Sequence, residues 1–285
     1  MFQLYAQDFM AISSAEYAGI NNFVKNSERE KYIEFSNKNY KGWVEESHMV
    51  AYGNLDLLDT DPAKYNDFIS MKDESGTFVP DQDDREIYSV RTATSPPPKA
   101  YGPLVNMNIA TIGANEILFE SAKELGNELL ASVARPFVAL PEEEHAVFHS
   151  DHPAGADYPH SFFAYPVHKV AGDIHSEVVA TITINHAWDV SMRKLLPESV
   201  TGIIAVVRNN CNQTFSFLID GQEVLYLGDA DYHDDKYNEF ELSVDLSPHT
   251  NPNFTSTPGH CMYLMVRIFA VAQKRMHLTE CGDNS

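Results

Sequence analysis

Short apolar stretches separated by turn residues are the feature that most limits the folds open to this chain. The longest of them, residues 202–207 and 262–266, are far shorter than the roughly 20 apolar residues that a membrane-spanning helix needs. Stretches this short, rich in β-branched and aromatic residues, are typical of strands in antiparallel sheets. We therefore expect a globular fold that contains several short strands and no transmembrane helix.

The clearest predicted strand covers residues 177–185, where apolar and polar side chains alternate. In a strand, successive side chains point to opposite faces, so one face of this strand should pack against a core. The apolar residues that would form that face are Val178, Ala180, Ile182 and Ile184. Further strands are predicted at residues 161–167, 202–207, 214–219, 223–227 and 262–270.

Helical patterns dominate the first part of the chain. Apolar residues from Phe2 to Phe23 recur at spacings compatible with a helix, and residues 27–47 are helix-rich in composition, so residues 1–47 are predicted to be one long or broken helix. A second helix is expected at residues 116–133. Residues 81–103 are predicted to be irregular because Ser95-Pro-Pro-Pro excludes a helix there.

These elements predict an α+β fold: a long N-terminal helix and two antiparallel-sheet subdomains stacked along it. The expected boundaries are residues 1–47 for the helical segment, 48–195 for a distal subdomain and 198–270 for a proximal one. A polar, acidic excursion is expected at residues 228–260, and an unstructured tail at residues 271–285.

The charge balance excludes two classes of partner. The chain has 20 Lys and Arg residues against 41 Asp and Glu residues, a formal net charge of −21. Such a field repels phosphate backbones and anionic lipid head groups, which argues against nucleic-acid binding and against polybasic membrane docking. The first ten residues lack a basic and apolar leader pattern, so no signal peptide is expected in this chain.

Three cysteines and two glycosylation motifs bear on location. If the strands at 202–207 and 262–266 are adjacent and antiparallel, Cys211 and Cys261 would lie close enough for a disulfide, leaving Cys281 free. The motifs are at Asn212 and Asn253. Together these features favour an extracellular or secreted protein. The alternative is a cytosolic chain in which all three cysteines are free.

Two groups of residues could hold a metal ion. His145 and His149 have the i, i+4 spacing of a metal-binding pair, and His152 follows, but no glutamate stands where a zinc peptidase motif needs one. The segment that starts at Asp229 resembles an EF-hand loop without its glycine and its final glutamate. A surface role is the alternative for both groups. We find no nucleophile or phosphate-binding motif, so no catalytic residue and no cofactor are predicted.

The polar face of the strand at 177–185 is the best candidate for binding. Thr181, Thr183 and Asn185 are short polar side chains that could line a small-molecule site, with Tyr165 of the preceding strand beside them. The alternative is that this face is open to water and that the threonines are ordinary strand formers.

Several blocks of sequence carry a resemblance to a known family. They are Gly42-Trp-Val-Glu-Glu-Ser, Ser95-Pro-Pro-Pro, the stretch at 195–207, Cys211-Asn-Gln-Thr-Phe-Ser-Phe, Tyr226-Leu-Gly-Asp, His233-Asp-Asp-Lys-Tyr and His260-Cys-Met-Tyr. In this order they resemble the extracellular region of receptor-type guanylate cyclases found in diatoms, over most of residues 40–270. The strands at 162–167 and 177–185 also look like a CHASE-type sensor, a relative of the double PAS-like (Cache) ligand-binding folds.

The resemblance implies a function. The chain would sense an extracellular small molecule as the input half of a cyclase receptor, without catalysis of its own, since it contains no cyclase domain. It would contact a membrane only through segments absent from this chain, and it could form a homodimer through its N-terminal helix. The alternatives are a free-standing secreted binding protein and a metal-dependent hydrolase that uses the cluster around His145.

Overall fold

The computed structural model describes residues 2–13, 15–61, 67–73, 77–98, 104–111, 129–134, 159–193, 196–209, 212–245 and 264–270. They form a mixed α+β fold with a helix at the N-terminus and antiparallel sheets. The helices are α1 (Phe2–Ser13), α2 (Arg29–Tyr52) and α3 (Trp188–Arg193). The strands are β1 (Tyr17–Lys25), β2 (Ser70–Lys72), β3 (Phe78–Pro80), β4 (Ile87–Ser95), β5 (Leu129–Ala134), β6 (His160–His168), β7 (Val178–Ala187), β8 (Ile203–Asn209), β9 (Thr214–Asp220), β10 (Glu223–Gly228), β11 (Glu241–Asp245) and β12 (Leu264–Ala270).

The first sheet has five strands in the order β4-β1-β7-β6-β5. Its central strands β1 and β7 are covered on both faces, as their burial shows. On one face, Ala6 of α1 packs against Ala18 and Ile184, and residues of α2 pack against Val24 and Val90. Residues 104–111 lie against the other face, which carries the candidate site.

The prediction of one helical segment over residues 1–47 is wrong at residues 17–25, which form β1. Tyr, Ile, Phe and Val favour a strand, and Gly19 disfavours a helix. The decisive factor is tertiary, because β1 pairs with β4 on one side and with β7 on the other. The apolar residues before and after this strand therefore belong to two separate helices.

Helix α2 owes its position to one buried stripe. Ser36, Tyr40, Val44 and His48 recur every fourth residue and are buried, as expected where a helix packs on a sheet. The helix ends at Gly53, whose φ of 73° is the left-handed conformation that glycine adopts without steric cost. It is therefore longer at its C-terminal end than the sequence pattern predicts.

The second sheet has the order β10-β9-β8-β12-β11. Its core combines Met192 of α3 with residues of two neighbouring strands, including Val207, Phe215 and Phe217. Helix α3 directly follows β7, so it connects the end of the first sheet to the core of the second. The indole Nε1 of Trp188 also donates a hydrogen bond to Ser161 Oγ of β6, at 2.8 Å.

Three other predicted segments differ from the structure. Residues 87–95, expected to be irregular, form β4, and the acidic excursion contains β11. The C-terminal part of the helix expected at 116–133 is strand β5, whereas its earlier part lies outside the described residues. The strands of the first sheet lie between residues 17 and 187 and those of the second between 203 and 270. The proposed subdomain boundaries and the tail stay predictions.

No helix within the described ranges is both long enough and apolar enough to cross a membrane.

Candidate functional site

Thr181, Thr183 and Asn185 lie together on one face of β7, as predicted, and this face is buried. Their exposed fractions are 0, 3 and 1%. In the β1–β7 register, Thr181 stands opposite Asn21 and Thr183 opposite Gly19. We call this side of the first sheet, which carries these residues and Arg91 of β4, the polar face. The alternative of a face open to water is excluded for the three predicted residues.

Asn21 joins the two threonines to β4. Its side-chain amide donates to Thr183 Oγ1 at 3.2 Å and to Thr181 Oγ1 at 3.4 Å. Its carbonyl oxygen Oδ1 accepts a hydrogen bond from Arg91 Nε at 3.3 Å. The Thr183 hydroxyl in turn donates to the backbone carbonyl of Gly19 at 3.4 Å. The hydroxyls that the sequence offers to a ligand therefore already belong to a buried network.

Arg91 is the unusual member of this network, because it is 5% exposed and no described residue forms an ion pair with it. Its guanidinium lies 4.9 Å from the centre of the Tyr17 ring, and its one hydrogen bond to a described side chain is the bond to Asn21. Burial lowers the pKa of Arg91 and only the interaction with Tyr17 raises it. An arginine keeps its proton under these conditions, so the face holds a buried positive charge.

Gly19 makes room for the ring that stacks on this charge. A Cβ atom at position 19 would collide with the hydroxyl oxygen of Tyr17 and would lie 3.0 Å from its Cζ. The Tyr17 ring therefore lies over Gly19, and the guanidinium of Arg91 lies over the ring. Cation–π contacts of this kind are favourable where water is excluded, but they do not neutralise the charge.

An apolar wall packs against the polar face at Tyr17 and Phe23. Leu104, Met107 and Ile109 are buried with Tyr17, and Phe23 and Phe78 pack against them. The wall is held by backbone hydrogen bonds, since Arg91 N donates to the Met107 carbonyl and Asn106 N donates to the Arg91 carbonyl, both at 2.9 Å. We call residues 104–111 the covering segment.

Two further polar atoms on this sheet, Ser89 Oγ and Asn185 Oδ1, are buried and form no hydrogen bond with any described residue. Ser89 is two residues from Arg91 and is therefore on the same face of β4. Asn185 lies farther along β7. Buried polar atoms are paired in the large majority of cases, so a hydroxyl and a cation on one face that no described residue pairs call for an explanation.

The prediction that Tyr165 stands beside these polar groups is wrong. In the β6–β7 register Tyr165 pairs with Ile182, whereas Ala164 and Pro166 pair with Thr183 and Thr181. Tyr165 therefore lies on the opposite face, where it packs against the cluster that includes Ala6 and Ile184. One residue of register decides the face, because side chains alternate along a strand.

Tyr17, Asn21 and Arg91 are not among the site residues predicted from the sequence. The sequence pattern predicts a helix at Tyr17 and Asn21 and an irregular segment at Arg91. A usable signal exists at residues 87–94, where the apolar Tyr88 and Val90 alternate with Ser89 and Arg91. An arginine in the middle of such an alternation is a candidate for a buried charge.

Most of the remaining predicted residues lie outside the described ranges. This applies to Cys211 and Cys261 of the proposed disulfide, to Asn253 and to the cluster of His145, His149 and His152. Asn212 is described: it is exposed, has a φ of 61° and lies between β8 and β9. Its glycosylation stays a prediction. In the described part of the chain, including the segment after Asp229, no three His, Cys, Asp or Glu residues are grouped so that they could hold a metal ion.

A second group of titratable residues lies at the far end of β7, around His186. His160 Nε2 is 3.0 Å from Glu16 Oε2, and both side chains are buried. The pKa of His186 is lowered to about 4; burial is the main cause, Glu16 opposes the shift and His160 adds to it. The folded chain therefore keeps His186 neutral at physiological pH.

Neither a protein-family model nor a curated protein matches this chain. The geometry of the polar face and the sequence blocks that resemble the cyclase receptors are therefore the basis for a functional proposal.

Proposed function

We propose that this chain is the extracellular ligand-sensing region of a receptor-type guanylate cyclase, and that it binds a small molecule on the polar face of the first sheet. Binding would be the input for cyclic nucleotide production, and the chain itself would perform no catalysis. The family part of this proposal, including the PAS-like description of the two sheets, rests on the resemblance of the sequence blocks.

The observation that carries the binding part is a polar surface buried beneath an apolar wall. A ligand site typically combines apolar walls with a few placed polar groups. Here the polar groups are Arg91, Asn21 and Ser89, and the wall is the covering segment. A surface that served packing alone would have no need of a cation and a hydroxyl that the described residues leave unpaired.

The connection from this surface to the second sheet supports a sensing role. Strand β7 carries Thr181 and Thr183 and continues directly into α3, whose Met192 is buried in the core of the second sheet. A ligand that favours one position of β7 would also favour one position of α3. In such a mechanism the ligand changes the populations of two arrangements by its difference in affinity for them.

Helix α1 supplies a surface for the proposed homodimer. Its side chains that point away from the sheet are apolar and exposed, and Ile12 reaches 86%. The others are Leu4, Tyr5 and Phe9. Exposed apolar stripes of this kind mark contacts with another surface. We propose that a second copy of the chain covers this stripe.

A thermal-shift screen tests the binding proposal. A ligand that binds only the native state at 100 times its Kd adds about 2.7 kcal/mol, which corresponds to a rise in Tm of roughly 5 to 10 °C. We expect a hit in a panel of neutral, anionic and cationic metabolites. Absence of any stabilising compound across the panel would contradict the proposal.

Two threonine variants locate the site. Thr183→Val removes a hydroxyl at nearly constant volume, so Asn21 loses its nearer acceptor and the ligand-induced shift should decrease. Thr201→Val makes the same change at an exposed position outside the polar face and should leave the shift unchanged. An equal response in both variants would place the ligand elsewhere.

A further inference from the structure

We propose that the ligand carries a carboxylate that binds the guanidinium of Arg91, and that the remainder of the ligand is apolar. This inference rests on the proposed small-molecule function and names its chemical class. Arg91 is buried against Tyr17 and Asn21, and no described residue forms an ion pair with it.

The charge of Arg91 is what requires an anion. Buried charges in proteins are almost always paired, because an isolated ion loses its hydration without compensation. The guanidinium has five N–H donors in a planar fork, and Nε is the one used by a described side chain, Asn21. The remaining fork matches the two oxygens of a carboxylate. Ser89 Oγ, two residues away on the same face, forms no hydrogen bond with a described residue and is a further donor for such a group.

The surroundings favour a monocarboxylate over a phosphate. The whole chain has a net charge of −21, which repels anions and does so more strongly as their charge increases. One guanidinium stacked on one aromatic ring supplies a single positive charge. The covering segment then presents Leu104, Met107 and Ile109, which suit an apolar body rather than a further charged group.

The experiment uses pairs of compounds that differ in charge alone. Short-chain, branched and aromatic monocarboxylates, with benzoate as one member, are compared with their primary amides by thermal shift on the full chain. We expect at least one acid to raise Tm by about 5 °C or more at a concentration far above its Kd, while its amide gives no shift.

Four variants assign the effect to Arg91. Arg91→Met removes the charge and keeps an unbranched apolar stem, and Asn21→Asp gives Arg91 a carboxylate from the neighbouring strand; both should abolish the shift caused by the acid. Arg208→Met is the control for Arg91→Met, at an exposed site of the second sheet. Asn22→Asp is the control for Asn21→Asp, on the opposite face of β1. Both controls should keep the shift. Asn21→Asp should also melt no lower than Asn22→Asp in the absence of ligand, because its new charge is paired.

The outcomes separate this inference from the proposed function. If neutral or cationic compounds stabilise the chain and no acid does, the inference is wrong and the binding function stands. If an acid stabilises the chain and the shift survives in Arg91→Met, the carboxylate binds elsewhere and the inference is again wrong. If no compound stabilises the chain, both proposals fail.

Discussion

Arg91 stands between two neighbours that orient it without neutralising it. Asn21 fixes the Nε edge of the guanidinium by a hydrogen bond, and the Tyr17 ring supports its plane. A side chain at position 19 would force the Tyr17 ring to move, because its Cβ would collide with the ring hydroxyl. Asn21, Tyr17 and Gly19 together hold the remaining donors of Arg91 in a fixed direction, which would lower the entropic cost of binding an anion.

His186 gives a pH dependence that can be measured at the residue scale. Its folded-state pKa of about 4 is below the unfolded value of 6.5, so the unfolded chain binds the proton more readily. Stability is therefore full above pH 6.5 and is lost as the pH falls toward 4. Between pH 6.5 and 4.5 the loss from this residue is about 2 kcal/mol.

Urea unfolding at the two pH values checks this prediction. The free energy of unfolding of His186→Gln should fall less than that of the wild type over this interval. His175→Gln, at an exposed position in the β6–β7 connection, should follow the wild type. Equal pH dependence in His186→Gln and the wild type would show that the neutral state of His186 does not limit stability.

Helix α3 is the element through which the two sheets are joined. It is one of the shortest elements, yet Trp188 bonds to Ser161 of the first sheet and Met192 is 2% exposed in the core of the second. It begins immediately after β7, which continues to Ala187. A short helix between two packed surfaces is suited to transmitting a displacement of β7.

Met192→Ala should lower the free energy of unfolding by about 2 to 5 kcal/mol, because it removes a buried side chain and leaves a cavity beside Phe215 and Phe217. Met49→Ala, on an exposed position of α2, should change it by no more than about 0.5 kcal/mol. Denaturant titrations of both variants provide the comparison. Similar losses in the two variants would mean that α3 does not contribute to the core as described.

Elements whose apolar residues recur with a clear period were predictable from the sequence. Strands whose conformation depends on pairing with distant strands were not. The alternation in residues 177–185 located β7, and it identified Thr181, Thr183 and Asn185 as one face. Strand β1 contains glycine and asparagine residues and owes its conformation to the strands on either side. Strand β11 lies in a polar, acidic segment and is defined by its pairing with β12. The face on which Tyr165 lies depends on the register between β6 and β7, and alternation within one strand does not determine that register.

In the molecule as a whole, helix α3 connects the first sheet, which we propose binds the ligand, to the second sheet. The first sheet carries a polar face beneath a covering segment, and the second has an apolar core that receives Met192. The negative charge of the chain disfavours highly charged anions, and in our proposal Arg91 supplies the local attraction for a carboxylate. The first sheet would therefore select the ligand, and strand β7 would transmit the structural effect of binding toward the second sheet.

Hydrogen–deuterium exchange with and without ligand tests this account most directly. The probe is the carboxylate that raises Tm most, at saturating concentration, on the full chain. We predict slower exchange in peptides from β1, β4, β7 and the covering segment, a smaller effect in α3, and no change in the edge strand β11. Protection confined to the second sheet, or unchanged exchange across the polar face with ligand bound, would contradict the claim that the first sheet is the sensor.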